Sequence, residues 1–153
     1  MMLRRRAGQR PAVSADGPQT QLSQQSPPEL WGLLVARVFS LSGVEEGHSQ
    51  VSPASSRAVF LRELTEERIP ETSLAPGMRL EPVHLHGVAD TSIHHCLPAG
   101  RAREVIALGW AEPHQYGDFG TEVLVYGPRD DSELDAVLGL IGESLAFALG
   151  EGG

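Results

Sequence analysis

Five of the six histidines fall between residues 84 and 114: His84, His86, His94, His95 and His114. His84 and His86 are two apart in Arg79–His86 (RLEPVHLH), a segment that reads as a strand, so their imidazoles project from one face while Val83 and Leu85 project from the other. Thr91–Leu97 (TSIHHCL) reads as the next strand, and Gly87-Val88-Ala89-Asp90 as the hairpin loop between them. If His86 pairs with Thr91, the shared face holds His84, His86, Ile93 and His95. If His86 pairs with Asp90, it holds His84, His86, Ser92 and His94. A one-residue slip exchanges the two sets, and both registers stay open at this level.

Three chemistries compete for such a cluster. Imidazole binds zinc, iron, nickel or copper, and His84-x-His86-xxx-Asp90 imitates cupin ligand spacing, although helices follow where a cupin barrel needs strands. The rings also suit acid–base or orienting work in a pocket. The plain alternative is a set of half-exposed strand histidines satisfied by backbone or water. A second feature is Gly109-Trp110-Ala111-Glu112-Pro113-His114. Glu112 and His114 flank Pro113, and in an extended chain the carboxylate would orient the imidazole. Trp110 is either ligand contact or indole packing. Tyr126-Gly127-Pro128-Arg129 closes the last strand, and Arg129 is either a cation for an enolate or a surface side chain. Cys96 stands alone, which excludes a disulfide framework and a multi-cysteine zinc site. No Gly-x-Ser-x-Gly, Gly-x-Gly-x-x-Gly or Walker pattern occurs.

The elements that must position these residues follow from periodicity. Leu30, Leu34, Val38 and Leu41 recur at helical spacing behind Ser26-Pro27-Pro28-Glu29, which predicts an amphipathic helix with a capping box. Gly43–Ser56 reads as loop, and Arg57–Leu64 as a strand. Pro98–Leu108 predicts a helix capped by Gly109, and Gly120–Tyr126 a strand. Asp130–Leu149 predicts the longest helix, with Leu134, Leu138, Ile141, Leu145 and Ala148 as its apolar stripe and acids in its first turn. The expected fold is α+β: a mostly antiparallel sheet of about four strands with helices packed on one face. Residues 1–27 are polar, basic and aperiodic, and predict a flexible N-terminal arm; 28–149 form a single domain and 150–153 a tail.

The 153-residue chain is 41% hydrophobic, enough for a packed core. No apolar run reaches the ~20 residues of a membrane helix, and none follows the basic start as a secretory signal requires. A cytoplasmic protein without membrane contact is expected. All 12 basic side chains are arginine, and the chain has neither lysine nor asparagine, so a Schiff-base or P-loop lysine is excluded. The net charge is −8; residues 28–153 carry eight arginines against 19 acids, which disfavours nucleic acid as a partner.

His84-Leu85-His86, Thr91-Ser92-Ile93-His94, Gly109-Trp110-Ala111-Glu112-Pro113-His114 and Val125-Tyr126-Gly127-Pro128-Arg129 together resemble the luciferase-like domain family, which includes fungal luciferases and many bacterial proteins. The resemblance covers about residues 28–149, with its specific motifs in 80–135. A common fungal version reads Ser-Met-His and Gly-Trp-Gly-Glu-Arg-His, so Ile93, Ala111 and Pro113 are departures. The resemblance implies an oxygenase-like activity on an enolic or phenolic, pyrone-type small molecule, with no flavin, ATP or other cofactor. It makes His84, His86, His94, His114 and Glu112 the catalytic candidates. Trp110, Tyr126, Arg129 and Asp90 are the candidates for holding the ligand. The alternatives are a non-catalytic small-molecule or protein-binding module, or a histidine-ligated metal protein.

Overall fold

The computed structural model describes residues 2–115, Gly117 and 119–151. Of the expected arm and tail, Met1, Gly152 and Gly153 lie outside the described residues, as do Tyr116 and Asp118 of the segment before the last strand. Three helices, α1 (Pro28–Phe39), α2 (Ala99–Ala107) and α3 (Asp131–Ala148), accompany six strands: β1 (Val44–His48), β2 (Arg57–Leu61), β3 (Val83–Gly87), β4 (Asp90–Cys96), β5 (Ala111–Pro113) and β6 (Glu122–Val125). The strands form one sheet in the order β1-β2-β3-β4-β6-β5, and every neighbouring pair is antiparallel.

The sheet therefore has six strands where about four were expected. The two extra ones are those with the weakest apolar signal. β1 is Val-Glu-Glu-Gly-His, with one buried residue; it is held as a hairpin partner of β2, and Arg57 bridges Glu46 at 2.7 Å across the pair. β5 is three residues long and lies at the opposite edge, where Pro113 needs no partner for a missing N–H.

Alternation along the strands sorts the two faces. Val59, Val83, Leu85, Ile93, Val123 and Val125 point to one side and make a single core with Trp31, Leu34 and Val38 of α1, Ala102 and Val105 of α2, and Leu134, Val137, Leu140 and Ile141 of α3. All three helices contribute to this side. The opposite face carries His84, His86, Ser92, His94 and Glu122. α3 begins as its acids require: Asp130 accepts from the Glu133 backbone N–H. α1 does not. Its N-cap is Pro27 with no side-chain bond, and the Ser26 N–H donates instead to Thr91 Oγ1 on β4 at 2.8 Å, so the expected capping box is replaced by a tertiary contact.

Residues 2–27 are not the free arm that their composition predicts. Leu3 joins the core, Trp110 Nε1 donates to the Arg4 carbonyl at 2.6 Å, and the Arg6 N–H donates to Leu108 at 2.9 Å. Gln21 is buried; its N–H donates to Asp90 Oδ1 at 2.9 Å and its Oε1 accepts from the Gly127 N–H at 3.0 Å. Polar side chains dock this segment through hydrogen bonds to strand ends rather than through an apolar stripe, which is why it carries no periodic signal. Among the described residues, no helix is long and apolar enough to cross a membrane.

Candidate functional site

The site is set by the β3–β4 hairpin. Val83, His84 and Leu85 pair with His95, His94 and Ile93, and Gly87 pairs with Asp90. His86 alone therefore stands opposite both Thr91 and Ser92, a β-bulge with the extra residue on β4. Neither of the two simple registers holds, because the bulge lengthens the pairing by one step. The face is nonetheless the one with His84, His86, Ser92 and His94. His95 falls on the other face, wholly buried, with Nδ1 at 2.5 Å from Ser144 Oγ of α3.

The three strand histidines pack ring against ring. Centroids are 5.2 Å apart for His84–His86, 5.1 Å for His84–His94 and 4.6 Å for His86–His94. His114, which follows β5, brings its ring to 4.3 Å from that of His94. The three strand rings floor a cavity of about 570 Å³, with His114 among its walls beside Pro18–Thr20, residues of the 51–56 loop and Val88, so much of its other lining is apolar or small.

Carboxylates stand behind the rings. Glu81, fully buried, places Oε2 at 2.8 Å from His84 Nδ1 and also accepts from Ser49 Oγ and the Gln50 N–H. Asp90 Oδ2 lies 2.8 Å from His86 Nδ1, which is also 2.8 Å from Ser92 Oγ; the Ser92 hydroxyl in turn donates to Asp90 Oδ1. Glu122 Oε2 is 3.5 Å from His114 Nδ1. The acceptor oxygens of Glu81 and Asp90 fix the tautomer of two rings: Nδ1 carries the proton and Nε2 presents a lone pair. His84 Nε2 is 3.1 Å from His94 Nδ1, and His94 Nε2 is buried without a partner in the structure.

Burial keeps His84, His94, His95 and His114 uncharged at neutral pH. Burial lowers the pKa of His84 and outweighs the hydrogen bond with Glu81 that raises it. Burial, then the neighbouring rings, hold His94 well below the ordinary histidine value. Burial and the His84 and His86 rings bring His114 to about 4, and burial brings His95 to about 3. For Glu81 and Asp90 burial acts upward, but the hydrogen bonds they accept win and both stay below the usual carboxylate range.

His84, His86, His94, His114 and Asp90 thus lie in one pocket. The other candidates do not. Glu112 pairs with Leu124 on β6, and Leu124 pairs with His94 on its other side, so a leucine separates the carboxylate from the rings. Glu112 Oε1 instead accepts from Tyr126 Oη at 2.8 Å. Tyr126 is buried there and also accepts from Arg10. Trp110 is packed in the core, and Arg129 is engaged by Glu133 and the Ala7 carbonyl. None of the four lines the histidine cavity. The residues missed from sequence are Glu81, which stands three before His84 across Pro82, and Glu122, at the start of β6; the acid three before the first strand histidine was the available signal.

Residues 79–144, which include this hairpin and all four pocket histidines, match the family model described as Luciferase domain. The chain thus resembles the luciferase-like domain family. Over 93% of its length it is 25% identical to a luciferase of Armillaria ostoyae and 24% identical to one of Armillaria gallica. Over 53% of its length it is 28% identical to a luciferase of Armillaria mellea, of which the match covers 33%. The chain spans 59% of the length of the first two relatives. No solved structure matches it. The matched segment runs from just before Glu81 to Ser144, the partner of His95.

Proposed function

We propose that the chain is an oxygenase-type enzyme that takes an enolic or phenolic small molecule into the histidine pocket, removes its acidic proton, and presents the resulting carbanion to dioxygen. The observation that carries this reading is the convergence of His84, His86, His94 and His114, from three separate segments, on one cavity of about 570 Å³. That volume suits a ligand of one or two rings, and the Val51, Pro53, Leu74 and Val88 lining suits flat apolar faces.

His114 is the base in this scheme. It is the least buried of the four rings, stands at the wall rather than the floor, and is uncharged at neutral pH. The negative charge of the ionised ligand and the Glu122 carboxylate beside Nδ1 offset the cost of charging the ring. His84, His86 and His94 form the floor that the ligand oxygens meet, and Asp90 orients His86. The similarity to proteins named luciferase supports chemistry between an organic anion and dioxygen.

The test uses the full chain as purified and a 4-hydroxy-2-pyrone as probe. Ionisation in the pocket shifts the probe's absorbance to longer wavelength at a pH where the free enol is protonated, and oxygen uptake follows at an electrode. His114→Gln is expected to lower the rate at least about 100-fold, the usual contribution of a positioned base. A folded wild-type chain that neither binds nor ionises such enols would overturn the proposal.

A further inference from the structure

The pocket floor poses a problem that imidazoles alone do not solve. Glu81 and Asp90 hold the Nδ1 protons of His84 and His86, so the Nε2 atoms offer lone pairs. His84 Nε2 faces His94 Nδ1 at 3.1 Å, and with the His94 proton on Nε2 two lone pairs converge there. An enolate or phenolate oxygen on this floor would meet lone pairs, which repel it. A cation between the rings and the ligand removes the conflict.

We propose that His84, His86 and His94 bind a first-row divalent transition-metal ion, with Glu81 and Asp90 fixing two of the ligand rings from behind. One ring nitrogen from each histidine lies within 4.8 Å of the others, and all three residues are buried. The 3.1 Å between His84 Nε2 and His94 Nδ1 is the spacing of two nitrogens on one ion: bonds of about 2.0–2.1 Å at angles between octahedral and tetrahedral place them about 3.0–3.4 Å apart. The two 2.8 Å contacts behind His84 and His86 form carboxylate–histidine pairs, the arrangement that orients metal-bound imidazole and raises its basicity. His94 joins through Nδ1, which leaves its buried Nε2 to carry the proton. An all-imidazole set selects zinc, iron, nickel or copper over magnesium or calcium. Three protein ligands at the bottom of an open cavity leave coordination positions on the ligand side, the layout of a catalytic rather than a structural site.

The inference rests on the reading of this pocket as the functional site, and it assigns the ligand oxygens their counter-ion. It departs from the cofactor-free chemistry that the family resemblance implies. His114, outside the triad, keeps its role as base.

The experiment is metal binding by the full chain, stripped with chelator and titrated with Zn²⁺, then with Co²⁺ as a spectroscopic probe. One equivalent per chain is expected, with visible Co²⁺ bands of a four- or five-coordinate nitrogen site. His94→Ala should abolish binding, and Glu81→Gln should weaken it about 10–100-fold. If either variant fails to fold, the Co²⁺ spectrum of the wild-type chain still decides. A folded wild-type chain that binds neither ion, or binds Co²⁺ with the weak bands of an octahedral aquo ion, overturns the inference. The pyrone probe separates the two readings. Ionisation of the probe by metal-free chain that takes up no ion sinks the metal site alone. Tight metal binding without any response to the probe sinks the enzyme reading alone.

Discussion

His84 and His94 stand directly opposite each other on adjacent strands, and the ring nitrogens that face each other are 3.1 Å apart. The pairing has a direction. Glu81 takes the proton side of His84, so the lone-pair side faces His94. A similar relation holds one step along, where Asp90 and Ser92 take the Nδ1 side of His86. The bulge makes this second contact, since it brings Asp90 and Ser92 of β4 around a single β3 residue.

The tautomers are the first expectation. In metal-free chain, long-range ¹⁵N–¹H correlation should report His84 as a neutral, Nδ1-protonated ring at neutral pH, and should place a proton on Nδ1 of His86. Asp90→Ala should release His86 to a mixture of tautomers and cost about 1–3 kcal/mol, because Gln21 N–H and Ser92 Oγ lose their buried acceptor together. An unchanged His86 spectrum in the variant would show that Ser92 alone orients the ring.

Removing residues 2–25 should destabilise the domain by several kcal/mol rather than leave it unchanged. The deletion strips Leu3 from the core, the Arg4 acceptor from Trp110 Nε1, and the Gln21 acceptor from the Gly127 N–H. Tryptophan emission should move to longer wavelength as the Trp110 indole meets water. A melting temperature equal to that of the full chain would mean that these contacts carry no stability.

Gly127→Ala should be among the most damaging single substitutions outside the core. A Cβ there would lie 2.1 Å from the Thr91 carbonyl and 2.6 Å from Ser26 Oγ. Two chain segments, one from β4 and one leading into α1, would have to separate, at about 3 kcal/mol or more. Chemical denaturation measures it directly; a loss below 1 kcal/mol, roughly the size of a minor repacking, would show that the backbone gives way freely.

Stability of chelator-treated chain should fall as pH drops below about 6.5, the unfolded histidine value. His95 in the fold takes its proton only near pH 3, and His114 only near pH 4. Between those values and 6.5 the unfolded chain holds protons that the native state refuses, so each such proton lowers stability by about 1.4 kcal/mol per pH unit. Their contribution is complete above the unfolded value and lost progressively toward the folded values. Denaturation midpoints at pH 7, 6 and 5 test this; a flat profile would show that both rings admit protons in the native state.

Local pattern was enough for most of the fold. The spacing of Leu134, Ile141, Leu145 and Ala148 identified α3, and alternation at His84 and His86 placed them on one face, because helix and strand periods are properties of neighbouring residues. Even there the three-dimensional core changed the detail: Leu138 of the stripe is only partly buried, while Val137 and Leu140 are fully so, since the sheet and α1 together enclose more than one stripe of the helix. Tertiary structure alone decided the rest. The β-bulge that sends His94 to the pocket and His95 to Ser144 depends on where two strands meet. Glu81 and Glu122 reach the rings, and Glu112 does not, because strand order sets which side chain stands between which others. The N-terminal segment is held by single polar contacts to distant strand ends, and hydrogen bonds between residues 65 to 106 positions apart leave no period in a sequence.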